Sequence, residues 1–298
     1  MRRIALSLSL SVVLLGCGGG DDPFADGGPN GNDGAPNADA DPNAPDADPN
    51  GPDAGPLACA DAPARMIVLG DSIVACSNIG GINNANCSPL ILQKYIEAEY
   101  ASGVSYENKS IGGAVTDDIP NSQLSTIETG VAGHALIVIF IGGNDLQPYI
   151  FISDADAETR FETDMPAMLA EWDRIFAFFD DAAKFPDGYT MIMDTQYNPF
   201  DDCTASPYNL SALKIELLRV YNNNLRQLAN ARDNVVITDQ HASYLGHGHH
   251  YNVATCPYYI EGAEGWMADL IHPGVAGHAN LANEWKMTSD RLYRDCIE

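Results

Sequence analysis

The balance of apolar and polar positions changes character twice along the chain. Residues 4–15 form a largely apolar run, and residues 18–57 nearly lack large apolar side chains. From about residue 64 onward, short apolar runs alternate with longer amphipathic stretches. Within that last region, residues 66–69, 105–107, 135–141, 189–193 and 235–238 read as short buried strands. The clearest is Ala135 to Ile141, continuously apolar and partly β-branched, the composition of a central parallel strand buried on both faces. Residues 89–101, 155–184, 210–231 and 275–294 read as helices. Strand and helix in alternation predict one α/β domain with a parallel sheet and right-handed crossovers. Ligands of such sheets sit beyond the carboxyl ends of the strands, and every chemically distinctive segment falls at such an end.

The amino-terminal patterns add a second theme. Met1-Arg2-Arg3 precedes an apolar run from Ile4 to Leu15 that is too short to span a bilayer and fits an export signal. Leu14-Leu15-Gly16-Cys17 resembles the bacterial lipobox, which implies cleavage before Cys17 and acylation of its thiol and new amino group. The alternative is an ordinary signal peptide with an incidental cysteine. More than one acyl chain holds a protein stably on a membrane where a single chain does not. Gly18 stands where an aspartate would resemble an inner-membrane retention signal, which favours the outer membrane or cell surface. Residues 18–57 are built almost wholly of Gly, Asp, Pro, Asn and Ala, with Phe24 and Leu57 the only large apolar side chains. Such a segment cannot bury enough surface to offset its ordering entropy, so a disordered tether is expected there. The expected organisation is a signal and lipobox at 1–17, a linker at 18–57 and a folded domain at 58–298.

Charge narrows the partners. Nine of the 41 acidic residues and two of the 15 basic ones lie in the first 57, leaving 32 against 13 and a net charge of −19 beyond them. A folded part this acidic argues against nucleic acid as a partner. Of the seven cysteines, Cys17 is assigned to lipid, and six in an oxidising compartment imply three disulfides. The expected pairs are Cys76–Cys87, closing a short loop, Cys203–Cys256, and Cys59–Cys296, joining the domain ends. No Cys-x-x-Cys spacing occurs, so neither a zinc site nor thioredoxin-like chemistry is expected.

Four segments carry chemistry. Gly70-Asp71-Ser72 follows the first strand, where a tight turn projects a serine hydroxyl above the sheet. The Gly-x-Ser-x-Gly form is absent, and the alternative role for Ser72 is a helix N-cap. Asn108-Lys109-Ser110-Ile111-Gly112-Gly113 follows the second strand and offers either a plain flexible loop or a backbone N–H donor free of side-chain obstruction. Gly142-Gly143-Asn144-Asp145 ends the third, where an asparagine amide can face a developing oxyanion or simply cap a turn. Near the end, Asp269-Leu270-Ile271-His272-Pro273 has the three-residue spacing that puts carboxylate and imidazole on one side of a helical turn. The aspartate then accepts from Nδ1 and leaves Nε2 facing a serine hydroxyl. Each segment alone is weak.

In this order the four resemble the SGNH or GDSL hydrolase family, over residues 66–278 or so. The resemblance implies a three-layer α/β/α sandwich with a mainly parallel, flavodoxin-like sheet, and metal-free hydrolysis of esters, thioesters or acetylated sugars. It implies Ser72 as nucleophile, His272 as base and Asp269 as the acid that orients it. Ser72, Gly113 and Asn144 become the oxyanion hole, with Gly112 the alternative to Gly113. The chain departs from the pattern after the nucleophile, where Ile73-Val74-Ala75-Cys76 opens a cysteine-bracketed insertion. No cofactor is expected. The expected partners are a small-molecule or carbohydrate ester and a membrane reached through the lipid anchor, with a monomer as the default.

Other signals are assigned blander roles. His247-Gly248-His249-His250 reads as a polar loop beside the site, since no carboxylate or cysteine spacing supports a metal there. His134, His241 and His278 read as structural. The stretch from Thr195 to Phe200 follows the fourth strand and is expected either to border the pocket or to be an Asn-Pro turn. Trp172, Phe176, Phe178 and Phe179 read as core. A non-catalytic binding module needs no base paired with an orienting acid, and a structural surface lipoprotein explains none of the four segments.

Overall fold

A computed structural model describes residues 59–206 and 208–295. The expected signal, Cys17, the linker and Cys296 lie outside the described residues. In chain order the regular elements are β1 (Arg65–Gly70), α1 (Ser88–Glu99), β2 (Ser105–Asn108), β3 (Ala135–Phe140), α2 (Gly143–Leu146), α3 (Asp154–Phe179), β4 (Tyr189–Asp194), α4 (Ala212–Asn230), β5 (Val235–Thr238), α5 (Gln240–Tyr244) and α6 (Val275–Tyr293). The five strands form one sheet in the order β2-β1-β3-β4-β5, and every neighbouring pair is parallel.

Strand periodicity divides the core in two. Ile67, Leu69, Ile137, Ile139, Met191, Met193 and Ile237 face α3 and α4, meeting Trp172, Phe176, Tyr221 and Leu225. Met66, Val68, Leu136, Val138, Ile192 and Val236 point to the opposite face, against Leu92 and Ile96 of α1 and Leu281 and Trp285 of α6. With both faces covered, alternate residues are equally dry, so β1, β3, β4 and β5 are buried throughout and carry near-continuous apolar runs rather than an alternation. This is the expected three-layer α/β/α sandwich.

The five expected strands all form, each within one residue of the sequence reading at either end. The long helix stops earlier than its periodicity suggests, at Phe179 instead of near Lys184. Asp180 and Asp181 oppose the negative end of the helix dipole, and the Asp181 carboxylate captures the Ala183 N–H in a turn. Helices α3 and α4 begin where Ser153 and Ser211 accept the N–H groups of Asp156 and Lys214.

Two disulfides form as expected, Cys76–Cys87 and Cys203–Cys256. Cys59 is also disulfide-bonded, and its expected partner Cys296 lies outside the described residues. Among the described residues no helix is long and apolar enough to cross a membrane. Beyond the carboxyl ends of β1 to β5 lie the Ser72 turn, the Gly112-Gly113 loop, Asn144, the Thr195–Phe200 stretch and α5.

Candidate active site

The turn after β1 is a single helical turn. Ala75 N–H donates to the Asp71 carbonyl at 3.0 Å and Ser77 N–H to the Ser72 carbonyl at 3.1 Å. Asp71 caps this turn by accepting the Ile73 N–H at 2.9 Å. The next long helix begins only at Ser88, beyond the disulfide loop, so Ser72 is not the N-cap of a helix.

The Gly112-Gly113 loop is tied to its neighbours on both sides. Asn108 Nδ2 donates to the Val74 carbonyl at 2.8 Å, and Ile111 N–H to the Gly70 carbonyl at 3.0 Å. On the other side, Asn144 Nδ2 donates to the Ala114 carbonyl at 2.9 Å, and the Thr116 N–H and hydroxyl donate to Asp145 at 2.9 and 3.1 Å. An amide nitrogen carries two hydrogens. Asn144 therefore keeps one N–H beyond its bond to Ala114, and it lines the same cavity as Ser72. Gly113 has φ +82, in the left-handed region where glycine is favoured. At Gly112 a Cβ would stand 4.0 Å from Ser72 Cβ. Of the two sequence alternatives, Gly112 is the one with this approach to the serine, and Gly113 is the one with the glycine-requiring conformation.

The Asp269–His272 pair comes together in a different local structure from the helical turn that its spacing suggests. Residues 266–274 form a tight loop closed by an isolated antiparallel bridge between Met267 and Pro273. Ala268 N–H donates to the His272 carbonyl at 2.9 Å. One oxygen of Asp269 accepts the N–H groups of Ile271 and His272 at 3.0 and 2.8 Å, so the carboxylate shapes the loop as well as meeting the ring. His272 Nδ1 lies 2.9 Å from both oxygens of Asp269, and its Nε2 lies 2.9 Å from Ser72 Oγ. A carboxylate only accepts, so Nδ1 carries the proton and the Nε2 lone pair faces the serine hydroxyl. Partial burial opposes ionisation of Asp269, but hydrogen bonds from the His272 and Ile271 N–H groups and the His272 ring hold its carboxyl below the ordinary range.

The cavity beside Ser72 encloses about 100 Å³. Its wall is mainly apolar, with Leu146 and Ile150 on one side, Leu210, Leu217 and Leu218 on another, and Ile271 near the imidazole. Tyr197, Asn198 and Pro199 also line it, so the stretch after β4 borders the pocket as the first of its two readings expects. The sequence reading did not reach the segment after Asn144 or the first turns of α4. Leu146, Ile150 and Leu217 look there like ordinary helix and core residues, and no local signal marks them.

Beneath the site lie buried acids. Burial pushes the Asp71 carboxyl up to about 7, against the Ile73 N–H bond and with the Asp145 charge adding to the rise. Burial likewise raises Asp145 to about 6, opposed by its bonds from Thr116. His278 is buried with Nδ1 3.1 Å from Ser88 Oγ, and burial with the nearby His272 lowers it to about 4. It is buried in α6, as a structural role requires. His134 bonds Asp187 and Thr190 at the opposite sheet edge, and His241 meets Asp202 at 3.2 Å. Among the described residues the one cluster with metal-ligand geometry is Cys203, His250 and Cys256, whose two cysteines form a disulfide.

Comparison with known proteins agrees with this architecture. Residues 66–285 match the profile of the family described as GDSL-like Lipase/Acylhydrolase. No curated protein matches the chain at a significant level. Among solved structures, a lipase from a goat rumen metagenome is similar at TM-score 0.55 and 18% identity, over 77% of this chain and 98% of its own. Phospholipase A1 from Streptomyces albidoflavus is similar at TM-score 0.51 and 18% identity, over 76% and 99%. An extracellular lipase from Streptomyces rimosus is similar at TM-score 0.50 and 17% identity, over 76% and 98%.

The buried Asp71 yields a pH test. Its folded pKa of about 7 lies above the ordinary 3.8, so the folded state holds a proton that the unfolded chain gives up. Its contribution to stability is complete below the ordinary value and is lost as pH rises towards about 7. Asn at this position still accepts from Ile73 N–H and never ionises. The melting temperature of Asp71→Asn relative to wild type should therefore climb between about pH 4 and pH 7 and stay level above. A difference independent of pH would mean that Asp71 remains ionised in the fold.

Proposed function

The chain belongs to the GDSL-like lipase/acylhydrolase family, and on that premise we propose that it is a serine esterase acting through an acyl-enzyme on Ser72. The observation that carries this reading is the continuous line of hydrogen bonds from Asp269 through His272 to Ser72 Oγ, each 2.9 Å long. His272 Nε2 takes the hydroxyl proton as Oγ attacks the ester carbonyl. The backbone N–H groups of Ser72 and Gly113 and the free N–H of Asn144 hold the oxyanion of the tetrahedral intermediate. His272 then gives the proton to the departing alcohol, and the acyl group stays on Ser72. Water, deprotonated by the same imidazole, attacks the acyl-enzyme and releases the acid. Asp269 stays ionised and fixes the ring's tautomer and orientation throughout.

The cavity supports short acyl groups. At about 100 Å³ it has room for on the order of seven to ten water-sized spheres, which suits a few carbons better than a long chain. Its apolar wall favours an alkyl acyl group over a sugar. The alcohol then lies on the open side, where a small molecule or an acylated carbohydrate is accommodated.

We also propose that residues 1–17 direct export, that Cys17 carries the lipid anchor, and that residues 18–57 tether the catalytic domain, 58–298, to the outer membrane or cell surface. The disulfides Cys76–Cys87 and Cys203–Cys256 support an oxidising compartment.

Ser72→Ala should abolish both ester hydrolysis and labelling by a fluorophosphonate probe, and Asn144→Ala should lower turnover by roughly 10²-fold or more. Labelling that survives in Ser72→Ala would place the nucleophile elsewhere. Across p-nitrophenyl esters of rising chain length, kcat/KM should peak among the short acyl groups, and a peak at long chains would contradict the size of the cavity. Metabolic incorporation of a labelled fatty acid should occur in the full chain and vanish in Cys17→Ala. Equal incorporation in both would remove the anchor.

A further inference from the structure

The loop that carries Asp269 and His272 contains no helix or strand of its own, yet its carbonyls are held from three separate parts of the chain. Tyr197, after β4, donates its hydroxyl to the Ile271 carbonyl at 2.5 Å. His249 Nε2 lies 3.1 Å from the Leu270 carbonyl, and since a carbonyl only accepts, that nitrogen carries the proton. Asn78, inside the Cys76–Cys87 loop, donates to the Pro273 carbonyl. These bonds take the peptide immediately before the catalytic imidazole and the next one out on either side.

The histidine cluster is itself built onto the stretch after β4. The Asp201 carboxylate accepts the N–H groups of Gly246, Gly248 and His250 at 3.0, 2.6 and 2.7 Å. His249 N–H donates to the Pro199 carbonyl at 2.8 Å. The approach is so close at Gly248 that a Cβ there would stand 2.5 Å from the Pro199 carbonyl oxygen and 2.8 Å from either Asp201 oxygen, which no side chain permits. His247 stacks on Trp266 with ring centroids 3.7 Å apart and planes 4° from parallel, and Trp266 N–H donates to the His247 carbonyl at 2.7 Å. Tyr197 is braced in turn by stacking on Tyr244 at 4.4 Å.

We propose that Tyr197 and His249 are positioning residues for the ester hydrolysis, and that the His247–His250 segment is the mount on which the catalytic Asp269–His272 loop is seated. This rests on the reading of Ser72, Asp269 and His272 as a triad. Neither residue touches the reacting atoms through the atoms invoked. Each fixes a carbonyl whose rotation would swing His272 Nε2 away from Ser72 Oγ. Misplacing a catalytic group by about 1 Å can cost on the order of 10²-fold in rate.

The test compares Tyr197→Phe, His249→Leu, His249→Gln and the double variant Tyr197→Phe/His249→Leu on a short-chain p-nitrophenyl ester. Tyr197→Phe deletes one oxygen and keeps the ring that lines the cavity, so it retains the fold even where the double variant does not. Kcat should fall roughly tenfold or more in each of Tyr197→Phe and His249→Leu, approaching 10²-fold in the double variant. KM should stay unchanged, and His249→Gln, which still presents a side-chain N–H, should recover much of the loss. The downfield proton resonance of the His272 Nδ1–H, assigned by its absence in His272→Ala, should shift or broaden in Tyr197→Phe while the melting temperature stays near that of wild type. Wild-type kcat in both Tyr197→Phe and His249→Leu would overturn the proposal, as would a loss that follows melting temperature without recovery in His249→Gln. If wild-type hydrolysis survives Ser72→Ala, it is the triad reading that fails.

Discussion

The hydrogen bond between His272 Nε2 and Ser72 Oγ joins residues 200 positions apart, and the proposed chemistry depends on its 2.9 Å length. Its two ends are supported in different ways. The serine sits on a short turn at the end of a central strand, flanked by strands hydrogen-bonded on both sides. The histidine sits on an irregular loop, so its position depends on side chains that reach across from β4, from the histidine segment and from the disulfide loop. A rigid partner thus meets one whose rigidity is assembled from single hydrogen bonds. Those bonds go to backbone carbonyls, whose displacement moves the imidazole directly.

The same economy appears on the side proposed to hold the oxyanion. Gly112-Gly113 and Asn144-Asp145 follow different strands, and three hydrogen bonds from Asn144 and Thr116 cross between them. Using one hydrogen of the Asn144 amide to fix the loop leaves the other directed by that bond, so the donor is oriented before any substrate arrives. Preorganised donors of this kind act without reorganising during the reaction, which is the source of their effect on rate.

Electrostatics divides the carboxylates by role. Asp269 is partly exposed, accepts backbone and ring N–H groups, and is held below the ordinary carboxylate range. Asp71 and Asp145 lie under the site, are raised by burial, and serve as hydrogen-bond acceptors in the floor. Three acids within one small region therefore ionise differently because their surroundings differ in solvation and in the number of N–H groups they receive. Near neutral pH Asp269 is fully ionised, whereas Asp145 at about 6 and Asp71 at about 7 still titrate in that range.

Much of this protein was legible in its residues. Apolar runs from Ala135 to Phe140 and from Tyr189 to Met193 specify buried parallel strands, because both faces of such a sheet exclude water. A parallel sheet puts all strand ends at one edge, so Ser72, Gly113 and Asn144 had to converge there once the strands were recognised. Six cysteines in an exported domain implied disulfides, but their connectivity, Cys76–Cys87 and Cys203–Cys256 among it, was one choice of fifteen. What tertiary structure alone decided is everything set by contacts between distant segments. The spacing of Asp269 and His272 suits a helical turn, but the Asp269 carboxylate bonds two local N–H groups and folds the segment into a loop instead. Leu146, Ile150 and Leu217 form the cavity wall only because α2, the turn that follows it and α4 bring them beside Ser72. His249 and Tyr197 bond carbonyls 21 and 74 residues away, a relation that no local pattern of hydrophobicity or charge encodes.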